Sequence, residues 1–197
     1  MAPFFRFQKQ IFLSIYFFLS VCSFISSQSS GRLQKVIAKM NSLKSVRAKI
    51  NINGTLTGTL SYKRPYNLHI KFSDGRIISA NKNFLWVYSP GRMIAGKQDL
   101  RGGTGGIGGL LSGYESVTEA GNTIKLRSTT RTYEEIIVVV TPDNYLRSLR
   151  MKRQGSSTYS TINLSIIGKN IGLPSNLFNF HPPSSAQIVE NPLNQKE

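Results

Sequence analysis

The chain has 197 residues, 25 Lys and Arg against 9 Asp and Glu, a formal charge of +16 and one cysteine. That length suits a single domain, and a lone cysteine excludes a disulfide framework or a cysteine-rich metal site. The excess of cations fits nucleic acid, anionic lipid head groups or an acidic protein as a partner.

Arg6 and Lys9 precede an apolar run from Ile11 to Ile25, interrupted by serines and Cys22. The run is too short to span a bilayer comfortably, so residues 1–27 read as a secretory signal cleaved after Ser27. Leu19-Ser20-Val21-Cys22 allows a second reading as a degenerate lipobox, in which an acylated Cys22 tethers the protein to a membrane. After cleavage, 170 residues remain, with no cysteine and a charge of +14. A domain of that size buries roughly 70% of its unfolded surface and must be stabilised by packing. The cations are dispersed along predicted strands, at Arg47, Lys49, Lys71, Lys125, Arg127, Arg150 and Lys152. Export and this dispersal argue against nucleic acid as the partner.

Leu33, Val36, Ile37, Met40 and Leu43 recur at helical spacing, with Arg32, Lys35, Lys39 and Lys44 between them, and predict one amphipathic helix of three turns. The period then changes to two. Val46, Ala48, Ile50 and Ile52 alternate with polar residues, Asn53-Gly54 makes a turn, and Leu56, Leu60 and Tyr62 return. Arg64-Pro65 ends that strand, because proline donates no ladder hydrogen bond. Leu68, Ile70 and Phe72 alternate up to Asp74-Gly75, and 76–80, 84–88 and 93–95 follow as strands.

Gly102–Gly113 holds seven glycines around Ile107, Leu110 and Leu111. No Lys-Ser or Lys-Thr follows, so a phosphate loop is set aside in favour of a loop carrying a short apolar turn. Strands resume at 114–120, 123–128, 133–140, 146–152 and 158–167, with Ile136–Val140 apolar throughout, as in a strand covered on both faces. A last pair is expected at Leu177–Phe180 and Ala186–Val189, then a polar tail from Asn191 to Glu197. One helix and about ten antiparallel strands predict a mainly β fold, an unclosed, strongly curved half-barrel over residues 28–190.

His69 and His181 are far apart and lack acidic neighbours, and no Gly-x-Ser-x-Gly or His-x-x-x-His occurs. Glu134 and Glu135 are adjacent, so on a strand they face opposite ways and do not form an acid/base pair. No catalytic residue, metal or cofactor is expected. A curved sheet does, however, have a concave apolar face that a helix, side chains or a ligand must fill.

Several stretches in this order resemble the LolA/LolB-like carriers of outer-membrane lipoproteins. They are Met40-Asn-Ser-Leu43-Lys-Ser-Val46-Arg-Ala48-Lys-Ile50, Gly58-Thr-Leu60-Ser-Tyr62-Lys-Arg64-Pro65, and Asp74-Gly75 before Leu85-Trp86-Val87-Tyr88-Ser-Pro90. Leu110-Leu111-Ser112 and the closing Leu177-Phe178-Asn-Phe180-His-Pro-Pro183 complete the set. The resemblance implies a periplasmic monomer that holds lipoprotein acyl chains in a groove. It takes them from an inner-membrane release complex and hands them to an outer-membrane acceptor. It also implies Arg64 as a latch on lid backbone, and Met40, Leu43, Leu60, Leu68, Ile70, Trp86, Leu110 and Leu111 as groove lining. A membrane-anchored acceptor, a lipid- or lipoprotein-sensing domain and a basic binder of anionic partners are the alternatives. The glycine run and the +14 charge both depart from the family pattern.

Overall fold

The computed structural model describes residues 31–100, 111 and 113–191. The proposed signal, Cys22, Leu110 and most of the glycine run lie outside the described residues, as do residues 192–197 of the tail. The helix α1 runs Gly31–Asn41. The strands are β1 Ser45–Ile52, β2 Leu56–Lys63, β3 Asn67–Phe72, β4 Ile77–Ala80, β5 Phe84–Ser89 and β6 Ile94–Asp99. They continue with β7 Ser116–Ala120, β8 Thr123–Arg127, β9 Tyr133–Val140, β10 Leu146–Arg153, β11 Tyr159–Lys169 and β12 Gln187–Glu190.

All twelve strands join one sheet in the order β12-β6-β5-β4-β3-β2-β1-β11-β10-β9-β8-β7. Among the described residues neither β12 nor β7 finds a second neighbour, so the sheet is unclosed, and both edge strands are largely exposed. Every pairing is antiparallel except β12 with β6, so the mainly β, unclosed antiparallel sheet expected from the sequence forms, with one parallel edge pair.

Register explains the two faces, because side chains alternate along a strand. Ile50 pairs with Gly58 and Leu164, Leu60 with Ala48 and Ile70, and Ile78 with Ile70 and Val87. These residues share the inner face. So do Leu126, Ile136 and Met151 across β8, β9 and β10, and one continuous buried cluster links both halves of the sheet. Ile137 and Val139 of β9 fall on the outer face and are half-buried, so that strand is not fully covered on both sides.

The turns fit their residues. Asn53 and Gly54 both adopt positive φ, 53° and 76°, and the Asn51 side chain accepts from the Gly54 N–H at 2.8 Å. The Gly58 Cα makes close approach possible: a Cβ there would stand 2.8 Å from the Lys71 carbonyl oxygen and 3.1 Å from the Phe72 ring.

The segment after β11 was expected to contribute a strand at Leu177–Phe180. Instead it forms a strap with a 3₁₀ turn at Ser175–Phe178. Outer-face donors on β1, β2 and β4 hold its carbonyls: Ser45 Oγ on Ile171 at 2.6 Å, Lys63 Nζ on Leu173 at 3.2 Å and Ser79 Oγ on Phe178 at 3.5 Å. Leu173 and Phe178 are buried. The crossing carries the chain over the outer face from β11 to β6, and a strand entering after such a crossover can lie parallel to its neighbour.

Candidate functional site

α1 meets the end of β7, the turn between β7 and β8, Tyr145 ahead of β10 and Arg64 after β2. At its start, the Leu33 N–H donates to Glu119 Oε1 of β7 at 3.0 Å, and Arg32 donates to the Gly121 carbonyl and to Asn122 Oδ1. A carboxylate at a helix N-terminus satisfies an otherwise unpaired N–H and complements the dipole there. In its last turn, Lys39 stands 5.1 Å from the centre of the Tyr145 ring. At its end, Arg64 Nη1 donates to the Asn41 carbonyl at 2.6 Å, and the Arg64 N–H to the Lys44 carbonyl at 2.9 Å. Leu33, Val36 and Met40 make up the face it turns to the sheet.

Met40, Leu43, Leu60, Leu68 and Ile70 are all buried in the inner cluster, together with Leu111. They therefore come together. Trp86 does not. It sits between Leu85 and Val87, pairs with Ser79 and Lys97, and stands on the outer face with its ring 6.4 Å from Phe180 of the strap. The alternation of Leu85 and Val87, both inward, carried the signal that separates it from the lining.

Arg64 does bond helix backbone, but to Asn41 of α1. The glycine run Gly102–Gly113, the loop expected to carry a short apolar turn, falls largely outside the described residues. The arginine follows the last residue of β2 and faces the end of a helix whose final carbonyls lack intrahelical donors, so it acts as a helix C-cap from a distant element.

The inner positions of the described strands are almost entirely aliphatic, with Ser89 and Gln98 as buried polar exceptions near strand ends. Ionisable groups gather on the outer face instead. Partial burial raises the Glu135 carboxyl, but hydrogen bonds from Tyr159, Arg127 and Lys125 outweigh it and hold the group down to about 2. The contacts are 2.5 Å to the Tyr159 hydroxyl, 2.8 Å to Arg127 and 3.1 Å to Lys125. Glu134 meets Lys152 at 2.5 Å, so both glutamates are in ion pairs. Burial, and then the charge of Lys71, lowers the pKa of His69. The Tyr114 hydroxyl is raised by burial, against the Arg131 charge that lowers it and with the Tyr133 contribution that adds to it.

Beyond that segment, Glu115 is held by Ser128 Oγ, the Thr129 N–H and Thr130 Oγ1 at 2.9–3.0 Å. The loop between β8 and β9 thereby anchors the start of β7. Neither this anchor, the strap nor the Glu119 contact was foreseen, since each joins residues distant in sequence.

No family model matches the chain, and no curated protein matches it in sequence. Among solved structures, an uncharacterized conserved protein from Thermus thermophilus aligns with a TM-score of 0.54 at 11% identity, covering 81% of this chain and 96% of that one. The two share a fold. The Mycobacterium tuberculosis lipoprotein LppX gives a TM-score of 0.42 at 10% identity, with coverage of 73% and 95%. A DUF1329 family protein from Desulfovibrio piger gives 0.40 at 10%, with coverage of 75% and 95%. No helix among the described residues is long and apolar enough to cross a membrane, which says nothing of strands.

Proposed function

We propose that the inner face of this sheet binds the acyl chains of lipids or lipoproteins, and that the protein is an exported carrier passing them between the inner and outer membranes. One observation carries the reading. An aliphatic inner face is shared by all the central strands of an unclosed sheet, and α1, with three buried side chains, is the helix laid on it. Surface of that kind gains free energy from any apolar occupant roughly in proportion to the area removed from water. Among the described residues its buried lining is apolar apart from Ser89 and Gln98, and Glu119, at an inner position of β7, is taken up by the start of α1; the role is binding without covalent chemistry.

The resemblance to LolA-like carriers supplies the finer form of the proposal, in which lipoprotein is the cargo and Arg64 is the latch of a lid; we take α1, whose last carbonyl Arg64 bonds, as the movable element. A competition experiment tests the core of it. A fluorescent fatty-acyl probe is expected to bind and to be displaced by a lipopeptide, with neither soluble sugar nor DNA competing. Raising the salt should leave this binding nearly unchanged, because burial of acyl chains is not screened whereas phosphate-backbone binding falls steeply. Displacement by DNA and not by lipopeptide would refute it.

A further inference from the structure

A depression of about 800 Å³ crosses β11, β1, β2 and β3, lined by outer positions, of which Lys49, Asn51, Thr59 and Lys71 are central, and by the inward positions Ile50, Gly58, Phe72 and Leu164, which reach it through their backbone. We infer that this depression is a second binding site, for a phosphate-bearing head group. Its geometry follows from register. Lys49 pairs with Thr59 and Ser165, and Thr59 pairs with Lys71. The two lysines therefore stand on strands one apart from each other, about 10 Å between backbones, with the Thr59 hydroxyl between them. One row on, Asn51 pairs with Thr57 and Asn163, which adds amide and hydroxyl donors on the same side.

The charge is the second observation. Six of the eight acids among the described residues are engaged elsewhere, and neither Asp99 nor Asp143 lines the depression. Asp74 pairs with Arg76, Glu190 with Lys97, Glu134 with Lys152, and Glu135 with Lys125 and Arg127. Glu115 is bound to the loop after β8, and Glu119 to the start of α1. No carboxylate lines the depression. Lys49, Lys71 and most of the hydroxyl- and amide-bearing neighbours are exposed, so ammonium groups and neutral donors face solvent together. Phosphate oxygens are acceptors only and carry one or two negative charges, and this set of donors complements them. The strap covers the adjoining row of Ser61, His69 and Ser79 and stops short of these positions, which leaves the depression open. The site lies on the face opposite the aliphatic interior, so the inference stands whether or not the interior binds acyl chains.

The experiment compares the intact exported protein with a K49E/K71E variant and with a K35E/K82E control. The control makes the same change in net charge, using exposed lysines on α1 and in the β4–β5 turn. Binding is measured to phosphatidylglycerol vesicles, to phosphatidylcholine vesicles and to free glycerol 3-phosphate, at one fixed salt concentration. Wild type should prefer the phosphatidylglycerol vesicles, and K49E/K71E should weaken that binding by at least about thirtyfold, taking each surface lysine near an anionic membrane at its ordinary worth. The control should lose much less. A Lys49/Lys71-dependent affinity for glycerol 3-phosphate as well would mark the ligand as a soluble phosphate ester, and its absence would mark it as a lipid head group. Equal losses in the two variants, or no loss in K49E/K71E, would overturn the site and leave only a diffuse basic surface. Retention of fatty-acyl probe binding by K49E/K71E shows that the variant is folded and keeps the two readings separate.

Discussion

Arg64→Leu separates a latch from a structural corner. The change removes one charge-assisted bond to the Asn41 carbonyl, made at 2.6 Å near the surface, while the backbone bond from Arg64 to Lys44 is untouched. Such a bond contributes about 1.5 kcal/mol at this exposure, the low end for charged partners, against a total of roughly 5–15 kcal/mol for a domain. The variant therefore folds. Docking of α1 is much stronger: burial of Leu33, Val36 and Met40 contributes about 1.5–3 kcal/mol each. Breaking the latch alone does not free the helix. An acyl chain of about 16 carbons buries about 12 kcal/mol of methylene surface, which is comparable with the helix contact, so loading and latch release act together. Urea unfolding should show a small fall in midpoint at unchanged slope, while stopped-flow mixing with a fatty-acyl probe should show its association and dissociation altered several-fold. A variant that unfolds outright, or one with both rates unchanged, would refute the reasoning and leave Arg64 as a corner residue.

Glu135→Gln should cost about 1.5–3 kcal/mol in urea unfolding at pH 7, since it leaves Lys125 and Arg127 without their shared carboxylate. Because the folded carboxyl is held to about 2 from 4.5, the stability it contributes is complete above about pH 4.5 and is lost as pH falls from there toward 2; the variant should show a shallower acid limb. Gly58→Ala should destabilise by roughly 1–3 kcal/mol, as its Cβ would meet the Lys71 carbonyl at 2.8 Å; an unchanged melting temperature would contradict the β2–β3 packing. Trp86 is the sole tryptophan, and it packs against the strap, so Phe180→Ala should shift its emission to the red whereas acyl loading of the wild type should hardly move it. The reverse pattern would return Trp86 to the interior.

Period-two patterning made most of the fold legible, because most inner strand positions are filled by apolar residues that bury themselves. Val46 to Ile52 and Leu68 to Phe72 display this directly. The same alternation puts Leu85 and Val87 inward and Trp86 outward, so the resemblance that implied Trp86 as lining ran against a signal present in the sequence. At Leu177–Phe180 the apolar residues do not alternate; they serve a 3₁₀ turn that buries Phe178, and only the carbonyl-to-side-chain bonds from Ser45, Lys63 and Ser79 fix its path. Those bonds link residues about 100 positions apart, as does the parallel pairing of β12 with β6. The Asn41 partner of Arg64 was hidden for a related reason: a helix's last carbonyls accept from whichever donor the tertiary fold brings near. The outer depression had no sequence signature, since Lys49 and Lys71 look like ordinary solvated strand positions until register sets them around Thr59.

Native mass spectrometry of the protein purified from its native host tests the central claim most directly. The account predicts a mature chain beginning near Gln28 that carries noncovalent adducts with the masses of lipid or lipoprotein, lost when Leu68→Asp introduces a charge into the aliphatic interior while a folded fraction persists. A folded wild-type protein that is always free of lipid adducts, including after incubation with lipopeptide, would contradict it.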